Sequence, residues 1–97
     1  MEYKIGDYIA TDWFIDPVKI ISIDEEEIIV LIPSFTIYDN DDVAFLQSKI
    51  EISDIVDFST KDAFLQAAKS NLVDYQNKIN QCLTKMQNLI ILSEVID

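Results

Sequence analysis

The spacing of apolar and polar residues changes once along the chain. Between Tyr8 and Phe58 the apolar positions fall in short runs broken by turn-forming residues. From Leu65 they recur at steps of three and four, through Ala68, Leu72, Tyr75, Ile79, Cys82, Met86 and Leu89. The first pattern is that of β-strands, the second that of an amphipathic helix with one apolar seam. After a short lead-in at Tyr3 to Ile5, Gly6-Asp7 opens a strand predicted over Tyr8 to Trp13. Asp16-Pro17 marks a turn, because proline fixes φ and drives the residue before it out of the helical region. A strand over Val18 to Ile23 meets the acidic connection Asp24-Glu25-Glu26-Glu27 and returns as Ile28 to Ile32, a hairpin bounded by Pro33. Ser34 to Asp42 reads as an irregular loop with the polar tip Tyr38-Asp39-Asn40-Asp41-Asp42. The next strand, Val43 to Ile52, places Ala44, Leu46 and Ile50 on one face and Val43, Phe45 and Lys49 on the other. Ser53-Asp54 then turns the chain into a last short strand, Ile55 to Phe58.

The run Ile28-Ile29-Val30-Leu31-Ile32 does not alternate, and a strand apolar on both faces needs cover on both. The first half of the helical segment, with Phe64, Leu65, Ala68 and Leu72, is the element available. Ser59-Thr60-Lys61-Asp62 fits a capping pattern, with Ser59 accepting from the free amides and Asp62 near the positive helix end. The expected fold class is α+β. A small five-stranded antiparallel SH3-like barrel or bent sheet over residues 1-58 is followed by one long C-terminal amphipathic helix over 59-97, in a single structural domain. Some 34 helical residues would make a rod about 50 Å long. A kink near Asn71 is allowed for, and a folded-back helical hairpin is the competing arrangement. Leu89 to Leu92, with Val95 and Ile96, forms an apolar end that needs cover. A two-fold homodimer is expected, with Leu72, Tyr75, Ile79, Cys82, Met86 and Leu89 in its seam. In a parallel pair Cys82 would face its own copy.

Charge is distributed unevenly. Residues 1 to 59 carry fourteen acids against three lysines, and residues 60 to 97 carry four of each, so the whole net charge of −11 lies on the β part. Such a surface repels nucleic acid and anionic membranes and attracts basic partners; it also serves solubility. The chain has no histidine, no arginine and one cysteine. Histidine-dependent chemistry, a thiol-rich zinc site and an intrachain disulfide are thereby excluded from it. No leader pattern or membrane-length apolar stretch is read in the sequence, so a cytoplasmic location is expected.

Asp39, Asn40, Asp41 and Asp42 offer clustered oxygen ligands, but an EF-hand register started at Asp39 puts Ala44 where glycine is needed and Ile50 where the bidentate glutamate belongs. A weak calcium site is a minor alternative, and no metal or cofactor is expected. Glycine-rich phosphate loops and an activated nucleophile are absent, and no second catalytic type accompanies the carboxylates, so no catalysis is expected. Trp13 and Phe14 fall in the connection between the first two strands, where one of them plugs the end of the sheet or both anchor an interface.

These features predict a non-enzymatic module that presents Trp13, Phe14, Asp16, Asp24, Glu25, Glu26, Glu27, Tyr38, Asp39, Asp41 and Asp42 to a basic protein. The concrete form is an inhibitor or immunity-type protein occupying the nucleic-acid-binding surface of an enzyme, without binding nucleic acid or membrane itself. The alternative is an assembly or adaptor subunit acting through its helix, with the acidic part only solubilising it.

Overall fold

A computed structural model describes residues 2–25, 27–40, 42–76 and 82–95. The described strands are β1 (Tyr8–Thr11), β2 (Val18–Asp24), β3 (Glu27–Ile37), β4 (Val43–Glu51) and β5 (Ile55–Phe58), with a 3-10 turn, Ile52–Asp54, between β4 and β5. Two helices follow, α1 (Lys61–Gln76) and α2 (Leu83–Val95). The strands form one antiparallel sheet in the order β4-β3-β2-β1-β5. The fold is thus α+β, with five strands on one side and two helices on the other.

The sheet is apolar on both faces, and each face has its own core. Ile9, Val18, Ile20, Ile28, Val30 and Ile50 meet on the inner face, with Tyr3 and Phe14 packed at its margin. Phe35 and Phe45 on the outer face meet Phe64, Leu65 and Ala68 of α1 and Cys82, Met86 and Ile90 from the second helical segment. β3 serves both cores because even positions from Ile28 to Ile32 point inward, while Leu31, Phe35 and Ile37 point toward the helices.

Three register shifts bend the ladders, at Ala10/Thr11, at Ile20/Ser22 and between Ile32 and Phe35. The last falls at Pro33, which cannot donate to a ladder. β3 nevertheless resumes as Phe35↔Phe45, Thr36↔Ala44 and Ile37↔Val43. The expected loop at Ser34 to Asp42 is therefore strand as far as Ile37. Two residues, Pro33 and Ser34, are absorbed without changing which face the later side chains occupy.

β1 ends earlier than the apolar run suggests. The β1–β2 pairing stops at Ile9↔Val18, and the Asp12 N–H donates to the Asp54 carbonyl at 3.0 Å, just beyond Thr11↔Ile55 on the other side of β1. The lead-in at Tyr3 to Ile5 runs into a turn closed between Lys4 and Asp7. The Lys4 N–H donates to Asp7 Oδ2 at 2.9 Å and the Asp7 N–H to the Lys4 carbonyl at 3.0 Å, across Gly6 at φ +99°.

The expected single long helix is corrected. α1 ends at Gln76 and α2 begins at Leu83, and the longest dimension of the molecule is 41 Å, too short for a rod of about 50 Å. Lys61 Nζ donates to the Glu94 carbonyl at 3.2 Å, which sets the start of α1 beside the end of α2. Folding back lets both apolar stripes reach the same sheet face.

The described residues of the apolar stripe meet this chain's own core. Cys82 is 2% exposed and Met86 0%, both inside the chain's own core. Leu72, Tyr75 and Leu89 pack at the edge of that core, and Ile79 lies outside the described residues. The helix cap is also one residue later than expected. Thr60 Oγ1 accepts from the Ala63 N–H at 3.1 Å, while the Ser59 N–H donates to the Tyr8 carbonyl at 2.7 Å and prolongs the β5–β1 ladder.

Two polar side chains tie α1 to the irregular point of β3. Asn71 Nδ2 donates to the Pro33 carbonyl, and the Tyr75 hydroxyl donates to the Phe35 carbonyl at 2.8 Å. Pro33 is fully buried, so a carbonyl there needs a partner from outside the broken ladder.

Candidate functional site

The connection from β1 to β2 sorts its three large apolar side chains. Phe14 turns inward to the core of the sheet, helped by its N–H donating to Thr11 Oγ1 at 3.3 Å. Trp13 and Ile15 turn outward and are 70% and 104% exposed. Of the two aromatics, Phe14 is the plug and Trp13 the exposed group.

Trp13 stands beside carboxylates delivered by other elements. Antiparallel pairing of β3 with β4 sets Glu27 opposite Glu51 at the open end of the hairpin. The 3-10 turn adds Asp54, whose Oδ2 accepts from the Glu51 N–H at 2.9 Å. Together with Lys49 and Ile50, these residues and Trp13 line an open cleft of about 310 Å³. Lys49 Nζ lies 3.2 Å from Glu27 Oε2, both side chains being more than half exposed. An adjoining depression is lined by Asp24, Glu25, Glu27 and Glu51. The two depressions share Glu27 and Glu51, so one end of the sheet presents an indole bordered by carboxylates.

This arrangement works against local stability. Like charges directly opposite on neighbouring strands repel. Glu25 has φ +52°, in the left-handed region that costs a side-chain-bearing residue about 1–2 kcal/mol. A tryptophan left mostly in water forgoes one of the largest single burial contributions available.

Most of the described residues singled out from the sequence fall in two places. Trp13, Asp24, Glu25 and Glu27 gather at the open end of the β3–β4 hairpin, and Glu26 falls outside the described residues. Asp16 is half-buried in the connection that carries Trp13 and lines neither depression. Tyr38, Asp39 and Asp42 lie beyond Ile37↔Val43, at the other end of β3, about 30 Å of strand away. Asp42 is engaged there: its Oδ2 accepts from Asn40 Nδ2 at 3.0 Å and its Oδ1 lies 3.5 Å from Lys85 Nζ on α2. Asp41 is outside the described residues. Among the described residues no cluster of three or more carboxylate or thiol groups is placed to hold a metal, and no helix is long and apolar enough to cross a membrane.

Sequence reasoning missed Glu51, Asp54 and Lys49. Glu51 and Lys49 read as residues of the strand face that carries Val43 and Phe45, and Asp54 as a turn former, each far along the chain from Trp13. The signal lay in hairpin register: once Ile28 pairs with Ile50, the acidic β2–β3 turn must end beside Glu51.

The chain matches no protein-family model, and no curated protein shows significant similarity to it. The chemistry of its own surface is therefore what bears on function.

Proposed function

We propose that the protein is a non-enzymatic binding module that docks the Trp13 end of its sheet onto a basic protein surface. The observation that carries this reading is the convergence of a 70% exposed tryptophan with Glu27, Glu51 and Asp54, drawn from three further elements. Interfaces tend to be anchored by a buried aromatic with charged groups around it. Carboxylates set against a basic partner steer encounter and fix orientation. The inhibitor or immunity-type form follows from the charge: a surface rich in carboxylates competes with phosphates for the basic face of a nucleic-acid-processing enzyme.

A bent sheet of this strand order, with a 3-10 turn before the last strand, supports reading the β part as an SH3-like barrel. Its ends would then offer the docking surface while the helices close the opposite face.

Capture from a lysate at low and high salt tests the proposal. Basic proteins should be retained at low salt and released as ionic strength rises. Specific partners that are acidic, or that stay bound regardless of salt, would contradict it.

A second reading rests on a different observation. Val73, Ile91, Leu92 and Val95 on the helices are each more than half exposed, an apolar surface on the part of the chain with no net charge. An adaptor would act through this surface. Homodimerisation, in that case, uses these outward residues, since Cys82 and Met86 are committed to the interior.

A further inference from the structure

The cleft at Trp13 has a chemistry narrower than negative charge. Trp13 and carboxylates border the same recess, and one residue links the backbone segments that carry them. Asp54 accepts from the Asp12 N–H through its carbonyl, which holds the connection bearing Trp13. It also accepts from the Glu51 N–H through Oδ2, which holds its own carboxylate. The backbone next to Trp13 and the Asp54 carboxylate are thus joined by a shared hydrogen-bonded link.

We propose that this cleft receives an arginine side chain of the partner, its guanidinium stacked on the Trp13 indole and paired at its edge with Glu51 and Asp54. The inference rests on the docking function proposed above and narrows its centre to one residue type. A guanidinium is planar and weakly hydrated, so it lies flat on an aromatic face while its in-plane N–H groups still reach carboxylates. An ammonium is a compact, strongly hydrated charge that cannot meet both requirements together. Lys49 already engages Glu27 at 3.2 Å, and the Glu51 and Asp54 carboxylates each accept from the other's backbone N–H across the 3-10 turn. A carboxylate has acceptor capacity beyond one such bond, so both still offer oxygens to the cleft. The recess of about 310 Å³ is at the small end of ligand sites, a scale that suits a single side chain rather than a folded segment. The chain contains no arginine of its own, so a second copy cannot fill the cleft by this chemistry. The occupant is a different protein.

Trp13 is the single tryptophan in the chain, so its emission reports this site alone. The test uses hexa-arginine and hexa-lysine, equal in charge, as probes against the full chain at low salt, with affinities taken by calorimetry and Trp13 emission read in parallel. Hexa-arginine should bind at least about fivefold tighter and alter the emission. Trp13→Leu should bring hexa-arginine down to the unchanged affinity of hexa-lysine. Asp54→Asn, which can still accept from the Glu51 N–H, should weaken hexa-arginine more than hexa-lysine, and Trp13→Phe should fall between the wild type and Trp13→Leu. Equal, salt-sensitive affinity for the two peptides overturns the arginine assignment and leaves acidic docking standing. No binding of either peptide at low salt overturns both.

Discussion

Gly6 and Glu25 both place the backbone at positive φ, and they have opposite consequences. At φ +99° Gly6 occupies a region open to glycine and strained for anything else, and no atom lies within 4 Å of where a Cβ would stand. Gly6→Ala should therefore destabilise by about 1–3 kcal/mol through the backbone alone. Urea denaturation would read this as a lower midpoint at unchanged slope. Glu25 sits at φ +52° with a side chain poorly suited to it. Glu25→Asn should raise stability by about 0.5–1 kcal/mol, because asparagine tolerates the left-handed region. Glu25→Gln removes the same charge without relieving the backbone, so a gain confined to asparagine identifies strain as the cause. The acidic turn was legible in the sequence as a connection and as a charge cluster. Its strain was not, because glutamate gives no signal of a positive φ. Trp13 and Phe14 were likewise visible as a pair of large groups in a turn. Which of them faces water depended on the Thr11 hydroxyl and the Asp54 carbonyl, contacts that local pattern does not contain.

At the scale of elements, the helices and β3 are coupled where the ladder breaks. The Tyr75 hydroxyl reaches the Phe35 carbonyl while its ring meets the Phe35 ring edge-on at 5.7 Å. Tyr75→Phe keeps the ring and loses the hydrogen bond, so a loss of about 0.5–1.5 kcal/mol is expected in chemical denaturation. An unchanged stability would mean that the Phe35 carbonyl finds water instead. The strands were legible because period-two alternation and turn residues agree over most of residues 8–58. Pro33 hides the full length of β3 from the sequence, since proline normally ends a ladder. Here the sheet takes up Pro33 and Ser34 as an irregularity, and α1 supplies a donor to the Pro33 carbonyl that the ladder leaves unpaired. The helical period was legible throughout, but its break was not. One stripe at steps of three and four serves a straight rod bound to a partner and a hairpin bound to its own sheet equally well. What separates them is the outer face of the sheet: Phe35 and Phe45 give both helices an apolar surface to cover within the chain.

Across the whole molecule, charge and covered surface lie apart. The net charge of −11 belongs to the β part, and the helices, balanced in charge, close the outer face of the sheet. The open end of the β3–β4 hairpin keeps an exposed indole, opposed glutamates and a strained turn, none of which favours folding. Features that cost stability and recur together at one place are what a binding surface retains. The exposed helical residues Ile91 and Leu92 form the rival surface. A side-by-side capture with two double variants separates the surfaces: Glu27→Lys with Glu51→Lys, and Ile91→Asp with Leu92→Asp. With both variants confirmed folded by circular dichroism, the first should lose the basic partners held by the wild type and the second should keep them. Retention of those partners by the lysine variant, with loss in the aspartate variant, would contradict the assignment of function to the Trp13 end.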